Sequence, residues 1–311
     1  GVSQKNIEEL FMKKVIVLGS INMDLVAKTR RFPLEGETVI SDAFFTNPGG
    51  KGANQAVASA KQGAKTILLG AVGKDVYGKH SIENMRNYGV NCDYVIEKDT
   101  STGTAIIILH NADNRIIVNA GANAEYSFEE AKKALLANSK VGDILVMQLE
   151  MNLDLTTKII PLAKKHGLYV IFNPAPINKD LDVEVLRNVD LLIVNEVEAK
   201  MFANIPADES ELIDKLKKLG AKDVIITLGA RGGIYTYLDS VKRYQAYKTK
   251  AKDTTGAGDA FVGSVAASLT KSVALPDAIK RASYVAGITV TRFGAQQAIP
   301  SKEEIDVLLE K

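Results

Sequence analysis

The sequence predicts an α/β protein with three layers: a central, mostly parallel sheet covered by helices on both faces, and a small β-sheet lid. Short apolar β-branched runs alternate with helical patterns along most of the 311 residues, as in parallel sheets joined by helices. Runs that alternate apolar and polar residues near 21–47 and 95–122 are typical of hairpins and predict the lid. No repeat or low-complexity linker divides the chain, so residues 12–311 are predicted to form a single domain.

The composition excludes several classes of protein. A hydrophobic fraction of 46% and a charged fraction of 24% are those of a globular chain with a sizeable core. A net charge of +2, without a basic tract, argues against nucleic-acid binding. The single cysteine, Cys92, fits a reducing cytoplasm, and no apolar run is long enough to span a membrane. Residues 1–11 lack the apolar core of a secretory signal and are expected to be an extension before a native start at Met12.

Polar residues follow the first predicted strand, at residues 14–19. Ligands of open α/β sheets bind at the carboxyl ends of the strands. Asn22 and Asp24 alternate with apolar residues, so both side chains could point the same way and offer an amide and a carboxylate to a polyhydroxylated ligand. A capped turn after the strand is the alternative.

The lid is predicted from residues 32–46, 102–110 and 115–119, the last two joined across Asn111-Ala112-Asp113-Asn114. Such a layer could exclude water, which would otherwise compete as a nucleophile.

In the rest of the chain, predicted strands alternate regularly with predicted helices. Helices are predicted at 52–62, 75–88, 131–137, 155–166, 196–202, 211–219, 258–270, 276–291 and 302–309, and strands at 65–70, 143–148, 169–172, 191–194 and 224–228.

Two glycine-rich segments stand at predicted helix starts, Gly49–Gln55 and Asp253–Asp259. Backbone N–H groups at such a start, unobstructed by side chains, bind anions. Asp259 would lie beside a bound phosphate, where a carboxylate can accept a proton from an attacking hydroxyl. An ordinary helix N-cap is the alternative for either segment. Two such starts in one chain favour a phosphoryl-transfer site.

The sequence argues against several other common kinds of active site. Both glycine segments lack the third glycine of a dinucleotide fingerprint, and Gly50-Lys51 is not followed by the Ser or Thr of a P-loop. The few histidines are far apart in sequence, which disfavours zinc and nucleophilic hydrolase sites. Carboxylates must then do the acid–base work, and Glu150 at a strand end is a second candidate beside Asp259.

A magnesium site is predicted where the strand at 191–194 ends. Asn195 and Glu198 could reach a hydrated Mg²⁺, which takes few protein ligands, although Asn195 could equally cap the helix that follows. The small residues of Thr227–Gly233 leave space for a flat base or phosphates, with a simple turn as the alternative.

The motifs resemble those of the PfkB family of sugar kinases. They are Gly49–Gln55, Asn173-Pro174-Ala175-Pro176, Asn195-Glu196-Val197-Glu198, Asp253–Asp259 and Thr291–Gln296. They occur in the order found in that family, from about Lys14 to the C-terminus. The segments Gly49–Gln55 and Thr291–Gln296 resemble those of the ribokinases within it.

The resemblance implies ATP-dependent phosphorylation of the 5-hydroxyl of D-ribose, with Asp259 as the general base and the N–H groups of Gly256, Ala257 and Gly258 as an anion hole. The implied sugar contacts are Asn22, Asp24, Gly50, Lys51, Gly52, Asn54, Glu150 and Asp259. The implied nucleotide contacts are Asn195, Thr227, Gly229, Ala230, Arg231, Gly232, Gly258 and Ser283. Glu198 would hold Mg²⁺ through water.

The resemblance also implies a monovalent cation, usually potassium. Its site would be formed, partly by backbone oxygens, by Asp253, Thr255, Thr289, Arg292, Gly294 and Ala298. Ala298 stands where ribokinases often have Ser, which removes one oxygen, and Ser283 stands where His or Asn is frequent.

Three alternatives stay open at this stage. The acceptor could be deoxyribose, a ketohexose such as fructose, or a nucleoside such as adenosine, and a sugar-binding protein without turnover is a further possibility. The Val- and Ile-rich lid edge predicts a homodimer formed through the lid.

Overall fold

A mixed sheet runs through the centre of the structure, a computed structural model that describes residues 3–111, 113–204 and 207–311. The strands are β1 (Val15–Leu18), β2 (Asn22–Lys28), β3 (Ala43–Gly49), β4 (Thr66–Leu69), β5 (Ala71–Gly73), β6 (Val90–Asn91), β7 (Ile96–Lys98), β8 (Gly103–His110), β9 (Asp113–Asn119), β10 (Ile144–Met147), β11 (Tyr169–Phe172), β12 (Leu191–Asn195), β13 (Asp223–Thr227), β14 (Gly233–Tyr237) and β15 (Ser240–Tyr244).

The helices are α1 (Gln4–Phe11), α2 (Lys51–Lys61), α3 (Val76–Asn87), α4 (Ala122–Glu125), α5 (Phe128–Asn138), α6 (Leu153–Lys165), α7 (Glu196–Ala203), α8 (Glu209–Lys218), α9 (Ala257–Thr270), α10 (Leu275–Thr289) and α11 (Lys302–Leu309). Short 3-10 segments occur at Val183–Asn188, Gly229–Arg231 and Gln296–Ala298. Over the described residues, no helix combines the length and the apolar character needed to cross a bilayer.

The central sheet has the strand order β15-β14-β13-β12-β11-β10-β1-β4-β6. From β13 to β6 neighbouring strands are parallel, whereas β14 and β15 are antiparallel additions at one edge. β1 lies inside the sheet between β10 and β4, where Leu18 is in register with Met147 of β10 and Leu69 of β4. The carboxyl ends of these strands therefore meet at one edge.

Alternate residues of β1 enter two different cores. Ile16 and Leu18 belong to a cluster that includes residues of α5, α6 and α8, whereas Val15 and Val17 belong to one that includes residues of α2, α9 and α10. All four side chains are fully buried. A strand buried on both faces needs helices on both sides, which is why its sequence is continuously apolar. The predicted three layers follow from this arrangement.

The lid is a second sheet with the order β3-β2-β8-β9. β2 pairs antiparallel with β3 and parallel with β8, and β8 and β9 form a hairpin whose predicted turn residue Ala112 lies outside the described residues. The prediction of a strand over residues 32–46 was wrong in its first part, because regular strand begins only at Ala43. The preceding stretch turns at Leu34, whose carbonyl accepts from the Glu37 N–H, and so cannot join a ladder.

Candidate active site

The candidate site lies where β1 and β10 end and where α2 and α9 begin. β2, which enters the lid, carries Asn22 and Asp24, and Glu150 follows β10. Lys51 is the first residue of α2, and Asp259 lies in the first turn of α9. Five side chains from widely separated parts of the chain therefore converge on one cleft between the sheet and the lid.

The start of α9 has the geometry of an anion site. Gly256 is the N-cap in the left-handed region, with φ 77°, where a side chain would be strained and would press on Ala295. Gly258 has open space where a Cβ would lie, so no side chain at this position covers the start of the helix. The Ala257 N–H donates to the Thr254 carbonyl at 3.3 Å, which leaves it only weakly engaged.

Asp259 is 6% exposed and held on both carboxylate oxygens. Asn54 Nδ2 donates to Oδ2 at 3.0 Å, and Gln55 Nε2 donates to Oδ1 at 3.1 Å. Lys51 Nζ lies 3.9 Å from Oδ1, and Asp259 is the main cause of a raised pKa for the Lys51 ammonium. A positive charge thus stays beside the carboxylate across the neutral range.

Glu150 fixes the start of α2. Its Oε1 accepts from the Lys51 N–H at 2.8 Å and from Ser20 Oγ at 2.6 Å. The chain reaches this point through Gly50, whose φ of 91° is unfavourable for a residue with a side chain. A carboxylate at a helix N-terminus is favourable electrostatically. One oxygen of Glu150 is therefore committed to holding α2 in place.

Asp24 carries an unusual protonation equilibrium. Burial, followed by the negative charges of Glu150 and Asp259, raises the pKa of its carboxyl from 3.8 to about 7. Asn22 is 4% exposed and its Oδ1 accepts from Asn123 Nδ2 at 2.8 Å. The two side chains predicted to face a ligand together are thus both at least half-buried beside the cleft, with Asp24 in electrostatic contact with Asp259.

A cavity of about 540 Å³ opens on the other side of the start of α9. Its walls include the predicted nucleotide contacts Thr227, Gly229, Ala230, Gly258 and Ser283. Tyr244 and Phe261 stack at the wall with ring centroids 5.9 Å apart, and α10 presents Ala286 and Gly287. An apolar cavity with few polar groups, ending at exposed N–H groups, suits a flat base joined to phosphates.

A pfkB family carbohydrate kinase profile matches residues 12–302. The chain belongs to this family. It is 37% identical to the ribokinase of Lactococcus lactis over 302 residues, which cover 96% of this chain and 98% of the relative. It is 35% identical to the deoxyribokinase of Salmonella typhimurium over 305 residues, which cover 95% and 98% of the two chains.

The structure of Arabidopsis thaliana ribokinase complexed with ribose and ATP superposes on this chain with a TM-score of 0.88 at 28% identity, covering 96% of this chain and 99% of that one. The predicted fold and the predicted class of enzyme, a sugar kinase of the ribokinase family, are confirmed.

Three residues predicted as nucleotide contacts do not line the cavity within the described parts of this pfkB kinase: Asn195, Arg231 and Gly232. The Arg231 guanidinium bonds Glu196 and Glu209 on the outside of α7 and α8. A side chain on Gly232 would lie 2.0 Å from the Tyr244 carbonyl, so this glycine allows β15 to approach. Arg231 and Gly232 therefore have structural roles that the sequence did not reveal.

Asn195 and Glu198 form a capping box at the start of α7. The Glu198 N–H donates to Asn195 Oδ1 at 2.8 Å, and the Asn195 N–H donates to Glu198 Oε1 at 2.9 Å. Burial raises the pKa of the Glu198 carboxyl, and Lys51 and Asp259 are near enough to affect it electrostatically. The capping alternative for Asn195 is thus realised, while the second Glu198 oxygen remains available to a ligand.

Of the residues predicted to hold a monovalent cation, Asp253 and Thr255 lie on the loop before α9, Thr289 is the last residue of α10, and Arg292, Gly294 and Ala298 lie in the loop between α10 and α11. Asp253 joins the loops, since Oδ1 accepts from the Thr255 N–H at 2.9 Å and Oδ2 from the Gly294 N–H at 3.0 Å. The Thr289 carbonyl accepts from the Arg292 N–H, and the Arg292 side chain pairs with Glu304 on α11. Ala298 is fully buried and contributes no side-chain oxygen. Carboxylate and carbonyl oxygens are the donor set that a hard cation prefers.

Sequence reasoning missed a group of buried amides around Asp259. Gln55, Gln148, Asn173 and Gln296 are each less than a tenth exposed. Gln55, Asn173 and Gln296 stand inside the motifs that carried the family resemblance, but the alternation of apolar and polar residues would not single out any of the four. A glutamine inside a helix that otherwise packs as core, as Gln55 does in α2, was the one available signal.

Proposed function

We propose that this protein transfers the γ-phosphoryl group of ATP to the 5-hydroxyl of D-ribose, giving D-ribose 5-phosphate and ADP. The observation that carries the proposal is the position of Asp259. Its carboxylate lies at the open start of α9, 3.9 Å from Lys51, between the cleft under the lid and the cavity beside α10. A base and phosphate-binding N–H groups therefore share one helix turn.

The sugar would occupy the cleft under the lid. Asp24 and Asn22 approach from β2, Lys51 and Asn54 from α2, and Glu150 from the end of β10. Gly50 and Gly52 would contribute backbone groups only, because a Cβ on either would press on the backbone at Ser20. A ring of amide and carboxylate oxygens is suited to several hydroxyl groups at once. The lid strands would keep water from the acceptor.

The nucleotide would lie in the cavity of about 540 Å³, with its base between Tyr244, Ser283 and Gly287, and its phosphates pointing toward Gly258. Thr227, Gly229 and Ala230 would line the opposite wall. Asn195 would act at the rim, outside the cavity proper. A relative of the same fold, whose structure was determined in complex with ribose and ATP, supports ATP as the phosphoryl donor.

Two cations belong to the proposal. A Mg²⁺ would be held mainly by phosphates and water, with Glu198 reached through water. Bound Mg²⁺ would neutralise phosphate charge. Potassium would be held by Asp253 and carbonyl oxygens of the adjoining loops, and would lower the negative charge behind Gly256.

The reaction needs one proton transfer and one phosphoryl transfer. Asp259 takes the proton of the 5-hydroxyl as its oxygen forms a bond to the γ-phosphorus. The bond from that phosphorus to the bridging oxygen breaks, and the electron pair leaves with ADP. The N–H groups of Gly256, Ala257 and Gly258 face the charge that develops, where one such donor contributes on the order of 3 kcal/mol.

The second candidate acceptor is 2-deoxyribose, because one relative of 35% identity is a deoxyribokinase. Asp24 favours ribose, since a carboxylate that grips adjacent hydroxyls is underused by a sugar that lacks one. The test is ADP release with ribose, 2-deoxyribose, fructose and adenosine at equal concentrations. We expect kcat/KM to be highest for ribose, and a preference for any other acceptor contradicts the proposal.

A further inference from the structure

The Asp259 carboxylate is the centre of a converging set of side-chain amides. A carboxylate can only accept hydrogen bonds, so Asn54 and Gln55 must turn their NH₂ groups toward it. Their contacts with Asp259 are 3.0 and 3.1 Å long. The charge of the carboxylate therefore determines which way round these two amides stand.

That orientation passes outward through one further amide on each side. Because Asn54 presents its NH₂ to Asp259, its Oδ1 is left to accept from Gln296 Nε2 at 3.0 Å. On the other side, Gln55 Oε1 accepts from Gln148 Nε2 at 2.7 Å. Each of these amides turns its NH₂ group toward the carboxylate, an arrangement in which each hydrogen bond polarises the next, and the Gln55 NH₂ also donates to Asn173 Oδ1 at 3.2 Å.

The outer ends of the two branches differ. Gln296 is anchored: its Oε1 accepts from Asn84 Nδ2 at 2.6 Å, and its backbone carbonyl accepts from Lys61 Nζ at 2.7 Å. Gln148 Oε1, by contrast, is buried with no partner among the described residues. A network that served only to satisfy buried polar groups would not leave its outer oxygen unmatched. In this branch, the amide next to Asp259 has all its hydrogen bonds, and the unpaired oxygen is at the far end.

The burial of these groups is costly in itself. Gln55 and Gln148 are fully buried, and Gln296 is 1% exposed. Apolar side chains of similar size would fill the same space without the desolvation penalty of an amide. Retaining three glutamines here makes physical sense when an ionised carboxylate must be held in one rotamer.

We infer that Gln55 and Gln296 are positioning residues for Asp259: Gln55 directly, through Oδ1, and Gln296 through Asn54 and Oδ2. The inference rests on the proposed function, in which Asp259 takes the proton of the acceptor. Neither glutamine contacts the sugar in this scheme. Their loss should therefore lower turnover, with little change in substrate affinity.

The test replaces each glutamine by methionine, which has a similar length and no donor. We expect Gln55→Met and Gln296→Met to lower kcat by roughly 10- to 100-fold, the cost of a misplaced catalytic group, with KM for the sugar changed by less than about threefold. The acceptor is whichever sugar the unmodified protein phosphorylates. Circular dichroism and thermal unfolding establish that each variant is folded.

Gln62→Met is the matched control. Gln62 is also buried, and its amide bonds the Pro300 carbonyl and Arg281, outside the site. We expect this variant to lose stability while keeping kcat within about twofold.

If folded Gln55→Met and Gln296→Met enzymes behave like Gln62→Met, or if KM rises in proportion to the loss of kcat, the inference is overturned. If Gln55→Met does not fold, kcat and KM of Gln296→Met alone decide whether the inference holds. Failure of the proposed function is a separate result, seen when the unmodified protein forms no ADP with any sugar.

Discussion

At the scale of single residues, the site is a group of three carboxylates around one lysine. Asp24, Glu150 and Asp259 converge on one cleft with Lys51 as the neighbouring cation. Asp24, Glu150 and Asp259 could be predicted because each follows a strand or begins a helix at the ligand edge, whereas Lys51 was implied only by the family resemblance. The amides that hold Asp259 could not be predicted, since Gln296 is more than two hundred residues from Asn54 and only the fold joins them.

Asp24 should make stability depend on pH. Its folded pKa of about 7 exceeds the ordinary 3.8, so between these values the folded protein binds more protons than the unfolded chain. The free energy of unfolding contributed by this group is therefore greatest below about pH 4 and falls as pH rises through 7.

We expect Asp24→Asn to remove this contribution, so that the variant gains about 4 kcal/mol over the unmodified protein between pH 4 and pH 8. Urea unfolding of both proteins at the two pH values measures it, and titrations common to both proteins cancel in the difference. A constant difference would show that Asp24 titrates normally.

At the scale of elements, the periodicity of apolar residues predicted most of the helices and strands. Helices such as α6 and α9 and buried strands such as β11 were predicted to within a few residues, because capping residues and apolar runs mark their ends. Residues 32–42 alternate like a strand yet form a loop, since a turn at Leu34 and the absence of a ladder partner override local preference. β14 and β15 were missed, because the short β14 is buried but has Thr236 within its apolar run, and β15 is mostly exposed.

The start of α2 depends on a glycine that no other residue can replace. Gly50 has φ 91°, and a Cβ there would lie 2.8 Å from the backbone of Ser20 and Asn22. We expect Gly50→Ala to lower the free energy of unfolding by about 3 kcal/mol, combining backbone strain with the clash.

Gly36→Ala is the control for Gly50→Ala. Gly36 has a similarly positive φ of 72° but nothing within 4 Å of the added Cβ, so only the strain of about 1 kcal/mol remains. Denaturant unfolding compares the two variants. Equal losses would mean that the contact with β1 and β2 is unimportant.

At the scale of the whole molecule, the lid leaves apolar surface in solvent. Ile106 and Ile117 face each other across β8 and β9 and are 44% and 66% exposed. Within the described residues β9 pairs with β8 alone, so its outer edge is open to another strand. We propose that a second copy of the chain covers this surface.

We expect the protein to be a dimer at micromolar concentration and Ile117→Asp to weaken that dimer at least tenfold, because burying a charge in the interface is costly. Light scattering over a dilution series measures it. Val307→Asp, on exposed α11 away from the lid, should leave the mass unchanged. A monomer for the unmodified protein contradicts the proposal.

The most direct test of the whole account is ADP formation by Asp259→Asn with D-ribose and ATP, beside ribose binding by calorimetry. The account predicts a loss of roughly two to four decades in kcat, the usual contribution of a positioned general base, with the fold intact and ribose affinity changed only a few-fold. Turnover within tenfold of the unmodified enzyme would contradict it, since the proton would then leave by another route.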